Sequence, residues 1–150
     1  MSKFLKHIIS ITIIIFFLIP VTLLAQQQDA AFTLSADDES LEWGNCPAFM
    51  PESCSLSVLQ GNPQEPSADV FFKMQGNTAV PNHWHHSAER MVLISGEMEV
   101  DYEGQDPVVI TPGMYAYGPP ELTHTASCES NKPCVLFIAF DKPVDAFAVE

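Results

Sequence analysis

The chain has 150 residues, about one domain, with 19 Asp and Glu against 6 Lys and Arg and a formal net charge of −13. That charge excludes nucleic acid as the expected partner, because phosphate recognition needs basic side chains to displace counterions. It also disfavours anionic membrane surfaces. The 47% hydrophobic content supports a packed core, while 12 Pro and 7 Gly argue for many turns and against long helices.

In chain order, residues 1–7 (MSKFLKH) carry Lys3 and Lys6 and no acid, and Ile8 to Ala25 is uncharged and strongly apolar. Pro20 interrupts the apolar run, which ends in the small residue Ala25. Charged, apolar, then cleavable is the order of a secretory signal, so residues 1–25 are expected to be removed after Ala25. The competing reading is an uncleaved anchor, since the run is just long enough to span a bilayer. Either reading exports the rest of the chain, to the periplasm or beyond, and a cleaved chain has no membrane partner.

Residues 26–40 are polar and acidic without periodicity, a linker into a domain over residues 41–150. Asn45 to Pro66 holds two cysteines and four prolines, with a short strand expected around Leu56–Leu59. Further strands are expected at Val70–Met74, Met91–Ser95, Met98–Tyr102, Val108–Thr111, Met114–Tyr117, Leu122–Ala126 and Val135–Phe140. In Met98–Tyr102 the apolar residues alternate with Glu97, Glu99 and Asp101, so one face meets a core and the other meets water. Gly96 between Met91–Ser95 and Met98–Tyr102 suggests a tight hairpin. Pro112–Gly113 fits a type II turn. The pattern of short strands predicts an all-β sandwich or barrel.

Four cysteines remain after the leader: Cys46, Cys54, Cys128 and Cys134. An even number in an exported chain favours disulfides over free thiols. Three pairings are open, and proximity in sequence favours Cys46–Cys54 with Cys128–Cys134. The second bridge would hold the strand around His124 in register with the strand that follows. A structural zinc site is the weaker alternative, because the usual short gaps between cysteine ligands are absent.

The segment Pro81–Glu89 (PNHWHHSAE) carries the chemistry. On a strand, His83 and His85 point to one face, and Trp84 and His86 to the other. Glu89 is close enough to turn back toward the pair, and His124 is expected on a later strand. A lone strand histidine is ordinarily solvated or hydrogen-bonded, which is the reading given to His86 and to His7 of the leader. Three imidazoles and one carboxylate together form a set suited to Fe, Mn, Ni, Cu or Zn.

These residues resemble the cupin superfamily. Its first motif matches His83-Trp84-His85, three residues, Glu89, six residues and Gly96, with Gly76 a loose match to the leading glycine. Its second matches Gly113, five residues, Pro119, one residue, Glu121, two residues, His124, three residues and Cys128. Glu121 and Cys128 stand where the motif has Gly and Asn. The resemblance implies a cupin-type double-stranded β-helix, or jelly-roll barrel, with one divalent transition metal on His83, His85, Glu89 and His124. The chain looks most like exported bacterial single-domain cupins, and more distantly like the zinc-binding cupin domain of anti-sigma-factor proteins.

A divalent ion on that set carries net positive charge and would attract a small anion such as a carboxylate or enolate; with iron it also suits dioxygen activation. Candidate pocket walls, which also fit ordinary core, are Met91, Leu93, Met98, Val100, Tyr115, Tyr117, Phe137 and Ile138. Lys73 and Arg90 are the basic residues near the motif, and parity turns Arg90 outward, so no phosphate clamp is expected. The expected function is a metal-dependent oxidoreductase of dioxygenase type acting on a small molecule. A noncatalytic ligand-binding, sensor or structural cupin module is the alternative, and a homodimer is compatible with either.

Overall fold

Alternating side chains and frequent turns give strands and, among the described residues, no helix. The computed structural model describes residues 30–150, of which Thr33–Glu150 is one compact unit. The leader expected over residues 1–25 and the beginning of the linker lie outside the described residues. Within those described, no helix is long and apolar enough to cross a membrane.

The strands in order are β1 (Gly44–Asn45), β2 (Ser55–Gln60), β3 (Ala68–Met74), β4 (Thr78–Trp84), β5 (Glu89–Ser95), β6 (Met98–Tyr102), β7 (Val108–Ile110), β8 (Tyr115–Gly118), β9 (His124–Cys128), β10 (Cys134–Phe140) and β11 (Phe147–Ala148). All pairings are antiparallel. One sheet runs β1-β2-β3-β10-β5-β8 and the other β11-β4-β9-β6-β7. The chain passes repeatedly between the two sheets, which makes a jelly roll. The inward faces supply the core: Val70, Phe72 and Met74 from β3, Met91 and Leu93 from β5, Met98 and Val100 from β6, and Leu136 and Ile138 from β10.

The hairpin expected around Gly96 does not form. β5 pairs with β8 and β10, whereas β6 pairs with β7 and β9, so the chain crosses from one sheet to the other at Gly96. Glycine is required there for two reasons. Its φ is +85°, and a Cβ would lie 2.6 Å from Cys134 Sγ and 2.9 Å from its Cα.

The cysteines lie in the local pairs, with Cα separations of 5.6 Å for Cys46 and Cys54 and 5.8 Å for Cys128 and Cys134. Contrary to the expectation from the sequence, the second bridge does not hold neighbouring strands in register. β9 and β10 belong to different sheets and do not hydrogen-bond to each other. Cys128–Cys134 therefore ties the two sheets together across one end of the barrel.

Candidate metal centre

Each imidazole reaches the site by a different local device. His83 on β4 stands directly opposite His124 on β9, and their ring centroids are 4.2 Å apart. The ladder between these strands shifts register between Val80 and His83, where Pro81 cannot donate a ladder hydrogen bond. His85 lies one residue beyond the end of β4 rather than within a strand, so parity alone does not place it. Its ring meets those of His83 and His124 at 4.9 and 5.4 Å. Glu89 opens β5 and enters from the other sheet.

The nitrogens of His83, His85 and His124 converge to within 4.8 Å of one another, and all three residues are buried. Glu89 Oε1 is 3.5 Å from His85 Nε2, and Oε2 is 3.6 Å from His124 Nε2. These separations exceed a good hydrogen bond. They match two ligands of one ion, since tetrahedral donors about 2.1 Å from a metal are about 3.4 Å apart.

The tautomers are set from behind. Nδ1–H of His83 donates to the carbonyl of Pro81 at 2.8 Å, and that of His124 to the carbonyl of Leu122 at 3.0 Å. His85 Nδ1–H donates to the carbonyl of Asp145. A carbonyl can only accept, so the proton sits on Nδ1 and each Nε2 presents a lone pair. His85 Nε2 is buried with no hydrogen-bond partner, an orphan that an ion would satisfy. The donor set therefore fits a metal, in the form in which imidazoles bind one.

Electrostatics favour the neutral imidazoles. Burial, with repulsion from His124 and His85, pushes His83 down to about 3. Burial likewise lowers His85 and His124, against the opposing pull of Asp145 on the first and Glu89 on the second. Burial pushes the Glu89 carboxyl up to about 7, with His124 pulling the other way. An anion held at this cost is stabilised by a cation beside it.

An apolar cavity of about 330 Å³ opens beside the imidazoles. Of the expected walls, Met91, Met98, Val100 and Ile138 line it. Leu93 is fully buried core instead. Tyr115 and Tyr117 are 60% and 51% exposed, and Phe137 pairs in register with Val92 on the outer side of the sheet. Those three sit at the opposite parity from Met91 and Ile138. Arg90 also points outward and pairs with Asp141 at 2.6 Å.

Three features were not read from the sequence. The loop closed by Cys46 and Cys54 lies over the cavity, with Met50 in its wall and the Phe49 ring 6.2 Å from His83. Asp145 clasps the histidine segment, its carbonyl on His85 and its carboxylate on the His86 amide at 3.0 Å and His86 Nδ1 at 2.6 Å. Tyr102, the third inward residue of β6, brings a buried hydroxyl without a partner. Its signal was a polar tip on a face otherwise apolar. Asp145 acts partly through its main chain, and no residue type announces a carbonyl.

The sequence model of the family described as "Cupin domain" matches residues 70–140. Those residues span β3 to β10 and hold both halves of the site. With the two-sheet topology, the match makes the chain a member of the cupin superfamily. Solved structures agree in fold. The DMSP lyase DddQ of Ruegeria pomeroyi has 17% identity and a TM-score of 0.62, covering 73% of this chain and 61% of that one. The oxalate decarboxylase of Lactobacillus farciminis has 14% identity and a TM-score of 0.59, covering 73% of this chain and 33% of that one. A Bacillus subtilis oxalate decarboxylase has 15% identity and a TM-score of 0.57, covering 66% of this chain and 29% of that one. This chain thus spans about three fifths of the lyase and about a third of each decarboxylase. No curated protein sequence matches it.

Proposed function

We propose that this is an exported cupin that holds one divalent metal on His83, His85, Glu89 and His124 and acts on a small anionic molecule bound at an open metal position. The observation that carries the reading is the convergence of three Nε2 lone pairs, each fixed by an Nδ1–carbonyl bond, at the wall of an apolar cavity. A metal serving only to brace the barrel would need no such cavity beside it, which favours an enzyme over a structural module. The lyase and decarboxylase activities named for proteins of this fold support catalysis without selecting a reaction. Mn(II) centres are named for the Bacillus subtilis decarboxylase, so manganese is the first ion to test, followed by iron.

The bound ion would supply Lewis acidity, and iron would add dioxygen chemistry of the dioxygenase kind. The chain's own residues orient and neutralise. The three imidazoles stay uncharged, Glu89 supplies the one negative ligand, and mainly apolar side chains line the space beside them.

Elemental analysis of protein purified from its natural location tests the reading. One ion per chain is expected. His85→Ala and His124→Ala should each lose most of it, and His86→Ala should keep it, because its ring binds Asp145 instead. Equal metal content in wild type and His124→Ala would overturn the four-ligand site. Iron or manganese with exchangeable positions would support catalysis, and a closed zinc site would support the noncatalytic alternative.

A further inference from the structure

β8 is the last strand of its sheet, and no described strand pairs with its far side. Its ladder with β5 sets which backbone groups stay free. Arg90 pairs with Tyr117, Met91 with Ala116 and Val92 with Tyr115. Just before β8, the Leu93 amide donates to the carbonyl of Met114 at 3.2 Å. Hydrogen-bonded and non-hydrogen-bonded pairs alternate along an antiparallel ladder. Counting on from Met114, Ala116 and Gly118 turn their N–H and C=O groups toward β5, and Tyr115 and Tyr117 turn theirs away. The free groups therefore sit on two tyrosines, two residues apart and symmetric about Ala116. A second copy of the strand, run antiparallel about a two-fold axis at Ala116, would set Tyr115 opposite Tyr117 of that copy. Each such pair exchanges N–H···O bonds in both directions, so every free group finds a partner.

Charge separates this edge from the others. β1 and β11 are only two residues long. At the edge formed by β7, Val109 stands opposite Glu99, and Asp101 follows on the same outer face of β6. Two copies of a chain with a formal net charge of −13 would repel each other there. β8 carries no charged side chain. Arg90, across from Tyr117, is paired with Asp141. The side chains of Tyr115, Tyr117 and Ile94 are exposed on the outer face of this sheet. An edge without lysine or acid to blunt it, beside exposed aromatic rings, is built for another strand. Pro112 on one side and Pro119 and Pro120 on the other confine the pairing to β8 itself. A two-fold contact uses up both edges, so it closes as a dimer and does not grow into a filament.

We infer that β8 pairs antiparallel with β8 of a second copy of this chain, about a two-fold axis at Ala116, joining the two six-stranded sheets into one. The rings of Tyr115 and of Tyr117 from the second copy then lie side by side as a cross-strand aromatic pair. The pairing requires no metal.

Sedimentation of the chain purified from its natural location should show a dimer that dissociates on dilution from about 100 to about 1 µM, as a small interface does. Tyr117→Glu sets a carboxylate on each side of the axis and should weaken association at least about tenfold. Val109→Glu adds the same charge at the β7 edge and should leave association unchanged. Amide hydrogen exchange of the unaltered protein reads the ladder directly. On dilution the Tyr115 and Tyr117 amides should lose protection, while those of Ala116 and Gly118, bonded to β5, should keep theirs. A monomer at every concentration would overturn the inference, including one whose β8 amides are protected only when another protein is added. So would a dimer that Tyr117→Glu leaves intact or that Val109→Glu disrupts. A dimer whose dissociation leaves the Tyr115 and Tyr117 amides unchanged would overturn it as well.

Discussion

At Glu121 the cupin pattern has a glycine, and the backbone keeps the conformation a glycine would take, with φ at +63°. The Glu121 amide donates to the carbonyl of His85 at 2.8 Å, so this turn braces the histidine segment. A side chain in the left-handed region is strained, and Glu121→Gly should stabilise the fold by about 0.5–1 kcal/mol after the entropy of the freer unfolded chain is subtracted. The midpoint of urea unfolding measures it. Glu89 carries a different cost. Its carboxyl is pushed from 4.5 up to about 7, so across that window the folded metal-free protein keeps a proton that the unfolded chain has lost. This contribution makes the metal-free fold less stable as pH rises through the window; His83, pushed down to about 3, acts in the opposite sense between about 3 and 6.5. Metal must displace the Glu89 proton but none from the neutral imidazoles. At about pH 6, uptake should release about one proton per ion, and Glu89→Gln should abolish the release. Calorimetry in buffers of different ionisation enthalpy reads both. The four candidate ligands were legible because two histidines, a glutamate and a distant histidine recur at fixed spacings. Tyr102 was not, because a tyrosine on a core face is ordinarily only packing.

Strands announce themselves by alternation, and those from Val70 to Phe140 lie close to where the pattern puts them. Partners are another matter. Period two says which side chains share a face but not which strand lies alongside. Met91–Ser95 and Met98–Tyr102 flank a glycine as hairpin strands do, yet belong to different sheets. Tyr115 and Tyr117 were misassigned for a related reason: aromatic residues at alternate positions look like core until the opposite parity is known to be inside. The cause of the Gly96 corner is testable against a control. Gly104 has a similar φ of +77° but nothing within 4 Å of the place an added methyl would occupy, whereas at Gly96 that methyl would meet the Cys134 backbone. Gly104→Ala should cost about 1 kcal/mol from conformation alone, and Gly96→Ala at least about twice that from the added collision. Urea unfolding of the two variants compares them, and equal losses would show that the corner depends on φ and not on Cys134.

The compact unit Thr33–Glu150 is two sheets held by a shared core and, at one end, by Cys128 and Cys134. Cys128 closes the strand that begins with His124, so the sheet-to-sheet tie lies on the same strand as a candidate ligand. Replacing both cysteines by serine should cost about 2–3 kcal/mol on the loop-entropy account. Urea unfolding with and without reductant measures it, and the double variant should lose the part of the reductant effect that this bridge supplies. Charge and the pattern of short strands were enough to assign an acidic all-β domain. They did not reveal the closing of the barrel mouth by its two outlying segments, the Cys46–Cys54 loop and the residues after Phe140. Their positions depend on packing against groups far away in sequence.

The Asp145 clasp gives the segment after β10 a part in the site. Val144, Asp145 and Ala146 form part of the cavity wall, and β11 pairs with His83 and Trp84. Orientation of His85 and docking of this stretch are therefore linked, and linkage is reciprocal: an occupant that favours the oriented ring must also favour the docked tail. A substitution that loosens residues 144–148 would act on the histidine cluster from a distance. Residues 144–148 would then bear on how firmly the site keeps whatever it has captured.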